Sequence, residues 1–425
     1  MAGGSDFLLT TWQGGGNVPP ELGLARRLIE AGHRVHVLSE PSVEPDARAA
    51  GCSFTRWPTA PSMNAVDRDN AAVKDWPGNN PVTSLRDGAR LVLGQADRCA
   101  HDVLGFLDAH HVDALLVDVF LFGALIAAER SGLPTVGLLP SIYVRPTRGR
   151  PMMGTGWLPA TGPLGTCRDI IVPALATRLL RRAAPRVNAV RADLGLAPVT
   201  DVLELWDRCT RLLVMTSPSF DQPPDRLPAN VRYVGPITDD PSWTKPWTPP
   251  WPIDERPFVL VAMSSTYQRH DAILRRIVAA LDGQPVNALV TLGPALHDGE
   301  VGGTDNVAVA SSAPHSELLN RASVAITHAG HGSVVKALAR GVPMVCMPQG
   351  RDQKDNTSRV IAAGAGVRLS RHAGEPAIRA AVQEVLGDPS YRANAQRLAH
   401  AFAHEARNGP NAVVETEDAV RTAPG

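Results

Sequence analysis

"SVAITHAGHGSVVKALARGVPMVCMPQGRDQKDNTSRV", Ser323 to Val360, holds in order a strand, a glycine turn, a helix, a second strand and a polar loop. The apolar run ending at Thr327 suits a buried strand, glycines at 330 and 332 let the backbone turn tightly, and helical spacing begins near Ser333. A helix starting directly off a strand's carboxyl edge aims its first unpaired amides, and its positive end, into the cleft beyond; such a turn is an anion site. The Ser333 hydroxyl adds a donor, and His328 is placed to give one more hydrogen bond to a phosphate oxygen. Neither common phosphate loop fits. G-x-x-x-x-G-K-[ST] is absent, and Val335 stands where the third glycine of G-x-G-x-x-G would be. A bare glycine turn with a satisfied histidine is the alternative. After the second strand, Asp352 and Gln353 share a loop at the same sheet edge, where open α/β sheets bind ligands. A carboxylate beside an amide suits neighbouring sugar hydroxyls, each of which donates and accepts. The plainer reading is an exposed loop with Asp355 capping the next helix.

Outward from this stretch the same alternation continues. "FVLVAM" (Phe258 to Met263), a helix from Asp271 to Leu281, "VNALVTL" and "NVAVA" precede it. Nearer the N-terminus stand "FLLTTW" (Phe7 to Trp12), a helix with Leu22, Ala25, Leu28 and Ile29 inward, and "RVHVLSE" (Arg34 to Glu40). "ALLVDVF" (Ala114 to Phe120), a helix through "GALIAAERSG", "PTVGLL" (Pro134 to Leu139) and "TRLLVMTSP" (Thr210 to Pro218) follow. Apolar strands separated by helices predict parallel sheets covered on both faces. Between the halves, "VGPITDDPSWTKPWTPPWPIDERP" (Val234 to Pro257) has seven prolines and three tryptophans, which exclude a regular helix and predict a stiff, extended linker. The expected fold is α/β, with two Rossmann-like domains facing across a cleft: residues 1–233, a linker at 234–257, residues 258–408, and a tail at 409–425. Within the tail, the amphipathic segment Asn411 to Arg421 is placed to pack back on the N-terminal domain.

At 425 residues the chain exceeds one ordinary core, which agrees with two units of roughly 200 residues each. Forty-two basic residues balance forty-two acidic ones, so no overall field draws it to nucleic acid or an anionic membrane, and the expected partner is a small molecule. Five widely spaced cysteines with no C-x-x-C pair fit a reducing cytoplasm. No stretch reaches about 18 consecutive apolar residues, so no membrane span is expected, and the N-terminus lacks the basic-then-apolar layout of an export signal. A monomer or homodimer is expected.

"HAGHGS...GVPMVCMPQGRDQKDN" resembles the donor-binding signature of the nucleotide-sugar glycosyltransferases of the GT-B fold, family 1, particularly the bacterial enzymes that decorate natural products. The resemblance runs from "NVPPELGLARRLIEAGHRV" to "DQKDN" and implies that the C-terminal domain holds most of the nucleotide. It implies that His328, Gly330, Gly332 and Ser333 contact the diphosphate, and Asp352 and Gln353 the sugar. Ser264 and Ser265 in "VAMSSTYQ" look like the family's hydroxyl pair near the phosphates. "SAPHSELL" looks like its base-binding loop, with Ala313 offering backbone groups to the pyrimidine and without the tryptophan that many plant members stack there. The implied reaction is metal-independent, inverting transfer from a UDP- or dTDP-sugar, with no cofactor beyond that co-substrate. The family resemblance also places the acceptor between the domains. Trp57 to Leu93 and Pro140 to Pro159 would line that site, with Trp76, Tyr143, Met152, Met153 and Trp157 suiting an apolar, aromatic or polyketide-like acceptor.

One residue departs from the pattern. Many members carry a base histidine three residues before the proline of the first helix; counting back from Pro20 gives Asn17, whose amide has no usable basicity. Asp118, ending an apolar strand, matches the aspartate that orients that histidine, though it could equally cap the helix near Phe122. Three accounts follow. Asp118 takes the proton while Asn17 positions the acceptor; or the acceptor is a phenol, enol, thiol or aromatic N–H that needs only orientation; or the chain is an auxiliary protein that binds a nucleotide sugar without transferring it. A nucleotide-sugar 2-epimerase shares the fold and is a further alternative. An NAD site is disfavoured because Pro19 replaces the third glycine of the first loop. "VDRDN", with Asp67 and Asp69, imitates a metal-binding D-x-D but has no apolar strand before it, so no metal is expected.

Overall fold

A computed structural model describes residues 4–62, 92–252, 254–268 and 270–422. Two fully parallel sheets carry the described strands. The first contains β1 (Asp6–Thr10), β2 (Arg34–Ser39), β3 (Ser53–Arg56), β4 (Ala114–Asp118), β5 (Thr135–Leu139), β6 (Arg211–Val214) and β7 (Val231–Tyr233) in the order β3-β2-β1-β4-β5-β6-β7. The second contains β8 (Phe258–Ala262), β9 (Asn287–Thr291), β10 (Val307–Ala310), β11 (Val324–Thr327), β12 (Met344–Cys346) and β13 (Gly366–Arg368) in the order β10-β9-β8-β11-β12-β13. Helices cover both faces of each sheet, so central strands such as Leu115–Val117 and Val259–Val261 are apolar on both sides and wholly or almost wholly buried.

In both sheets the strand order reverses beside the first strand, between β1 and β4 and between β8 and β11. Chain leaving neighbouring strands at such a point diverges to opposite faces and opens a crevice at their carboxyl ends. The loops after β1 and β4 carry Asn17 and follow Asp118; those after β8 and β11 carry Ser264, Ser265 and His328. Topology therefore gathers distant segments into two facing crevices.

Three short strands, β3, β7 and β13, escape sequence patterning because each is a sheet edge with at most two buried residues, so no apolar run marks it. So does the 31-residue helix Pro163–Asp193, which contains Pro173 and Pro185. From Val234 to Pro257 the described residues form neither helix nor strand. This segment is pinned from both sides: Asp239 pairs with Arg26 at 2.8 Å and Arg27 at 2.5 Å in the first half, while Asp240 pairs with Lys336 at 2.7 Å in the second. Trp247 stacks on Phe258 with centroids 6.2 Å apart. The last described helix, Ala412–Arg421, does return to the N-terminal sheet. Ala412 and Ala419 join the core of Leu24, Leu28, Leu213 and Met215, and Glu415 and Glu417 pair with Arg211 at 3.0 Å and His33 at 3.1 Å. All five cysteines are free thiols, four of them buried.

Candidate active site

β11 ends at Thr327, and the helix begins at His331, two residues before the sequence spacing suggested. The turn between them is held tightly. Ala329 lies at φ 64° and is fully buried; its amide donates to Thr327 Oγ1 at 3.2 Å and its carbonyl accepts from Asn356 Nδ2 at 3.0 Å. Such a left-handed alanine costs of order 1–3 kcal/mol and persists only where its surroundings fix it. A Cβ on Gly330 would lie 2.4 Å from His328 Nε2, whereas one on Gly332 would meet nothing within 4 Å. The two glycines thus serve different ends: the first makes room for the histidine ring, and the second leaves the helix end open. His328 is buried, which pushes its pKa down to about 3, and its Nδ1 has no partner. A neutral imidazole and the unpaired amides of the helix make a site for an anion.

Around this turn, Ser264 is buried and its Oγ bonds the Thr266 amide at 3.1 Å, while Ser265 is half-buried. Ala313 packs its methyl into the core of Leu318 and Leu319. Asp352 is half-buried and accepts from Asn356 Nδ2 at 2.8 Å. The amide of Gln353, at 2 % exposure, is instead committed inside the protein: its oxygen accepts from the Gln349 and Gly350 amides at 2.7 and 3.0 Å, and its nitrogen donates to Gln268 at 3.1 Å. Asp355 is not a helix cap. It lies buried in the first turn of helix Gln353–Ala362 and accepts from the amides of Gly154 and Gly156 at 2.5 and 3.0 Å, tying the loop after β5 to the C-terminal half.

The loop after β1 faces this assembly. Gly15, at φ 94°, approaches so closely that a Cβ there would stand 2.7 Å from Thr266 Cγ2 and 3.0 Å from Ser265 Oγ, and Arg351 donates to the Gly14 carbonyl at 3.3 Å. Asn17 is half-buried, and its Nδ2 donates to Asp118 Oδ2 at 2.9 Å and to the Trp12 carbonyl at 2.9 Å. Trp12 Nε1 also donates to Asp118 Oδ2, at 3.1 Å, and the Phe120 amide to Oδ1, at 2.9 Å. The Phe120 contact closes a turn ahead of the helix Phe122–Ser131, which has no side-chain cap, so Asp118 is not a helix cap; the other two bonds tie it to the loop after β1. Asp118 is 0 % exposed, and burial raises its pKa. Beside it lies a residue that sequence reasoning missed. Glu21 is fully buried, and burial followed by the neighbouring Asp118 charge pushes its pKa well above the usual carboxylate range. The signal was there, since Glu21 precedes Leu24, Ala25 and Leu28 by 3, 4 and 7 positions and so belongs to the buried face of its helix.

Tyr143, Met152, Met153 and Trp157, expected at the acceptor, line one cavity with Asp221 and Arg359. Trp76, Asp67 and Asp69 lie outside the described residues. A second, apolar pocket touches Trp57, Leu121 and Phe122, directly after Asp118. Among the described residues, Asp6, His111 and Asp113 form a group that could hold a metal ion, but they lie at the opposite, amino edge of the sheet, where Arg34 clamps Asp6. No helix of the described residues is long and apolar enough to cross a membrane.

Comparison with known proteins identifies the family and agrees with the fold. Residues 278–419 match the family described as "Erythromycin biosynthesis protein CIII-like, C-terminal domain". The chain is 30% identical over 428 residues to a 4'-demethylrebeccamycin synthase of Lentzea aerocolonigenes, covering 98% of this chain and 99% of that protein. With an oleandomycin glycosyltransferase of Streptomyces antibioticus it shares 25% identity, covering 92% and 85%. In fold it is similar to the calicheamicin glycosyltransferase CalG4, with a TM-score of 0.76 at 21% identity over the full length of both chains. It is likewise similar to the glycosyltransferase VinC, solved in complex with dTDP, with a TM-score of 0.67 at 18% identity, covering 98% of this chain and 99% of VinC. The chain belongs to the GT-B nucleotide-sugar glycosyltransferases of family 1, alongside the bacterial enzymes of natural-product biosynthesis.

Proposed function

We propose that this glycosyltransferase moves a sugar from a dTDP- or UDP-sugar, with inversion, to an apolar small molecule whose reacting group is itself acidic: a phenol, an enol, a thiol or an aromatic N–H. The observation that carries the proposal is the Asn17–Asp118 contact. Both Asp118 oxygens are occupied, by Asn17 and Trp12 on one and the Phe120 amide on the other, and the carboxylate has no exposed surface. It is built to hold an amide still. Asn17 in turn has a side-chain oxygen with no partner, the group an acceptor's X–H would approach.

The donor's diphosphate would lie at His328, Gly330, Gly332 and Ser333, with the sugar toward Asp352. Gln353 would shape the loop through its bonds to Gln349 and Gly350 rather than touch the sugar itself. Ser265 sits at the mouth beside the phosphates, Ser264 supports it through Thr266, and the backbone of Ala313 meets the base. The acceptor atom attacks the anomeric carbon, the bond from that carbon to the diphosphate oxygen breaks, and the diphosphate leaves with the electron pair onto the helix end. The acceptor's proton goes to water or to the departing diphosphate. Positioning and leaving-group stabilisation are the terms this site supplies. The apolar wall of Tyr143, Met152, Met153 and Trp157 suits an aromatic or polyketide-like acceptor, in keeping with the similarity to an oleandomycin glycosyltransferase.

Thermal unfolding with dTDP, UDP and NAD tests the donor site. A ligand at 100 times its dissociation constant stabilises by about 2.7 kcal/mol. A shift with one of the two pyrimidine nucleotides, abolished or strongly reduced in His328→Ala, is expected; a shift with NAD alone, or none, would contradict the proposal.

A further inference from the structure

Glu21 stands four residues along the first helix from Asn17 and is 0 % exposed. Neither of its oxygens has a hydrogen-bond partner within bonding geometry, and the polar groups beside it are the Asp118 carboxyl, from the end of β4, and the Thr11 hydroxyl, from the end of β1. We propose that Glu21 is a positioning residue for sugar transfer: a neutral carboxylic acid set against Asp118, it keeps the pair at a single negative charge and thereby keeps Asn17 and Trp12 turned toward Asp118. The proposal rests on reading Asn17 and Asp118 as the acceptor-orienting pair.

The assignment of the one charge follows from the donors. Asp118 receives three, from Asn17, Trp12 and the Phe120 amide, and Glu21 receives none in bonding geometry. Glu21 does lie in the first turn of its helix, where the dipole favours an anion by about 0.3–1 kcal/mol. Burying an unpaired carboxylate costs several kcal/mol, so the neutral form prevails. Two carboxyls sharing a buried site cannot both ionise at ordinary pH. The nearby charges on the same helix and the linker, Arg26, Arg27 and Asp239, pair with one another at 2.5–2.8 Å. Asp118 is thus the titratable group set against Glu21 among the described residues.

Two consequences separate this role from mere packing. Raising the pH until Glu21 ionises puts a second charge beside Asp118, and the amide of Asn17 cannot serve both; transfer then falls on the alkaline side. A glutamine at position 21 cannot ionise. The experiment compares kcat against pH for wild type and Glu21→Gln, using UDP- and dTDP-glucose with a naphthol acceptor, and measures dTDP and UDP affinity at each pH. The expected result is a wild-type kcat that falls at least tenfold on the alkaline side and a Glu21→Gln profile that stays flat there. At neutral pH the variant loses activity, but less than Asp118→Asn does, and nucleotide affinity is the same for both proteins. Superimposable profiles, or a neutral-pH loss in Glu21→Gln as large as in Asp118→Asn, would overturn the role of Glu21 while leaving the donor site intact. Failure of wild type to bind either nucleotide would overturn the functional reading, and this proposal with it. If Glu21→Gln does not fold, pH-difference infrared spectra of wild type decide: a carboxylic acid must ionise over the range in which kcat falls, and its absence refutes the proposal.

Discussion

At the scale of single residues, position 17 holds an amide where a base would be useful, and that amide donates to a buried carboxylate, Asp118. An imidazole at position 17 would exchange a proton with the acceptor; the amide can only point. Asp118→Asn keeps the shape but removes the charge that Asn17 and Trp12 converge on. We expect kcat to fall by about 10²-fold, in the range of lost proton-handling or orienting groups, with nucleotide affinity unchanged. Repeating the measurement with acceptors of increasing pKa distinguishes the two roles. A loss independent of acceptor pKa marks orientation, as proposed. A loss that steepens with acceptor pKa would make Asp118 the proton acceptor and refute the orienting account. Asn17 and Asp118 were both legible in the sequence, because each interrupts a recognisable pattern: one at a counted distance from Pro20, the other at the end of an apolar strand. Glu21 was not, because a glutamate in a first helical turn is also what a solvated helix end prefers, and only tertiary packing shows that this one faces inward. Gln353 illustrates the converse. Its position beside Asp352 was readable, but the direction of its amide depends on Gln349, Gly350 and Gln268, which sequence spacing does not resolve.

At the scale of elements, helix Gln353–Ala362 does two things at once. One residue of its first turns, Asn356, braces the strained Ala329 of the turn after β11, and another, Asp355, holds the amides of Gly154 and Gly156. Ser358 Oγ adds a bond to the Gly156 carbonyl at 2.5 Å, and Arg359 pairs with Asp221 at 2.9 Å. The loop carrying Met152, Met153 and Trp157 is therefore fastened to the C-terminal half, although its chain belongs to the N-terminal half. Asp355→Ala leaves two amides without their acceptor. We expect stability to drop by about 1–3 kcal/mol and KM for the acceptor to rise, while dTDP or UDP affinity stays close to wild type. Equal loss of acceptor and nucleotide affinity would show that this contact supports the donor site instead. The strands and the helix Asp271–Leu281 were readable from apolar period and length. The bonds from one half to the other were not, since they join residues some 200 positions apart.

At the scale of the whole molecule, burial in the second sheet and its loops favours the neutral form of four histidines. It pushes His270 and His315 down to about 4 and His328 to about 3, and lowers His331 as well. In the unfolded chain such groups titrate near 6.5, so between that value and their folded values the unfolded state binds more protons and acid favours unfolding. Asp239 and Asp240, held below the usual range by Arg27 and Lys336 despite their burial, push in the same direction at lower pH. Glu21, Asp118 and Asp355, raised by burial, oppose it, because their unfolded forms release protons near 4. With the histidines in the majority, the urea midpoint is expected to fall as the pH goes from 7 to 5; a midpoint that rises over that range would refute this balance. The order of the chain imposes a further condition on its making. The face of the first sheet lined by Leu24, Leu28 and Leu213 receives Ala412 and Ala419, which follow the last strand of that sheet by some 180 positions. At about 5–20 residues per second, that apolar face stays bare for roughly ten seconds or more while the second sheet is being synthesised, so the first sheet closes its core only after the second already exists.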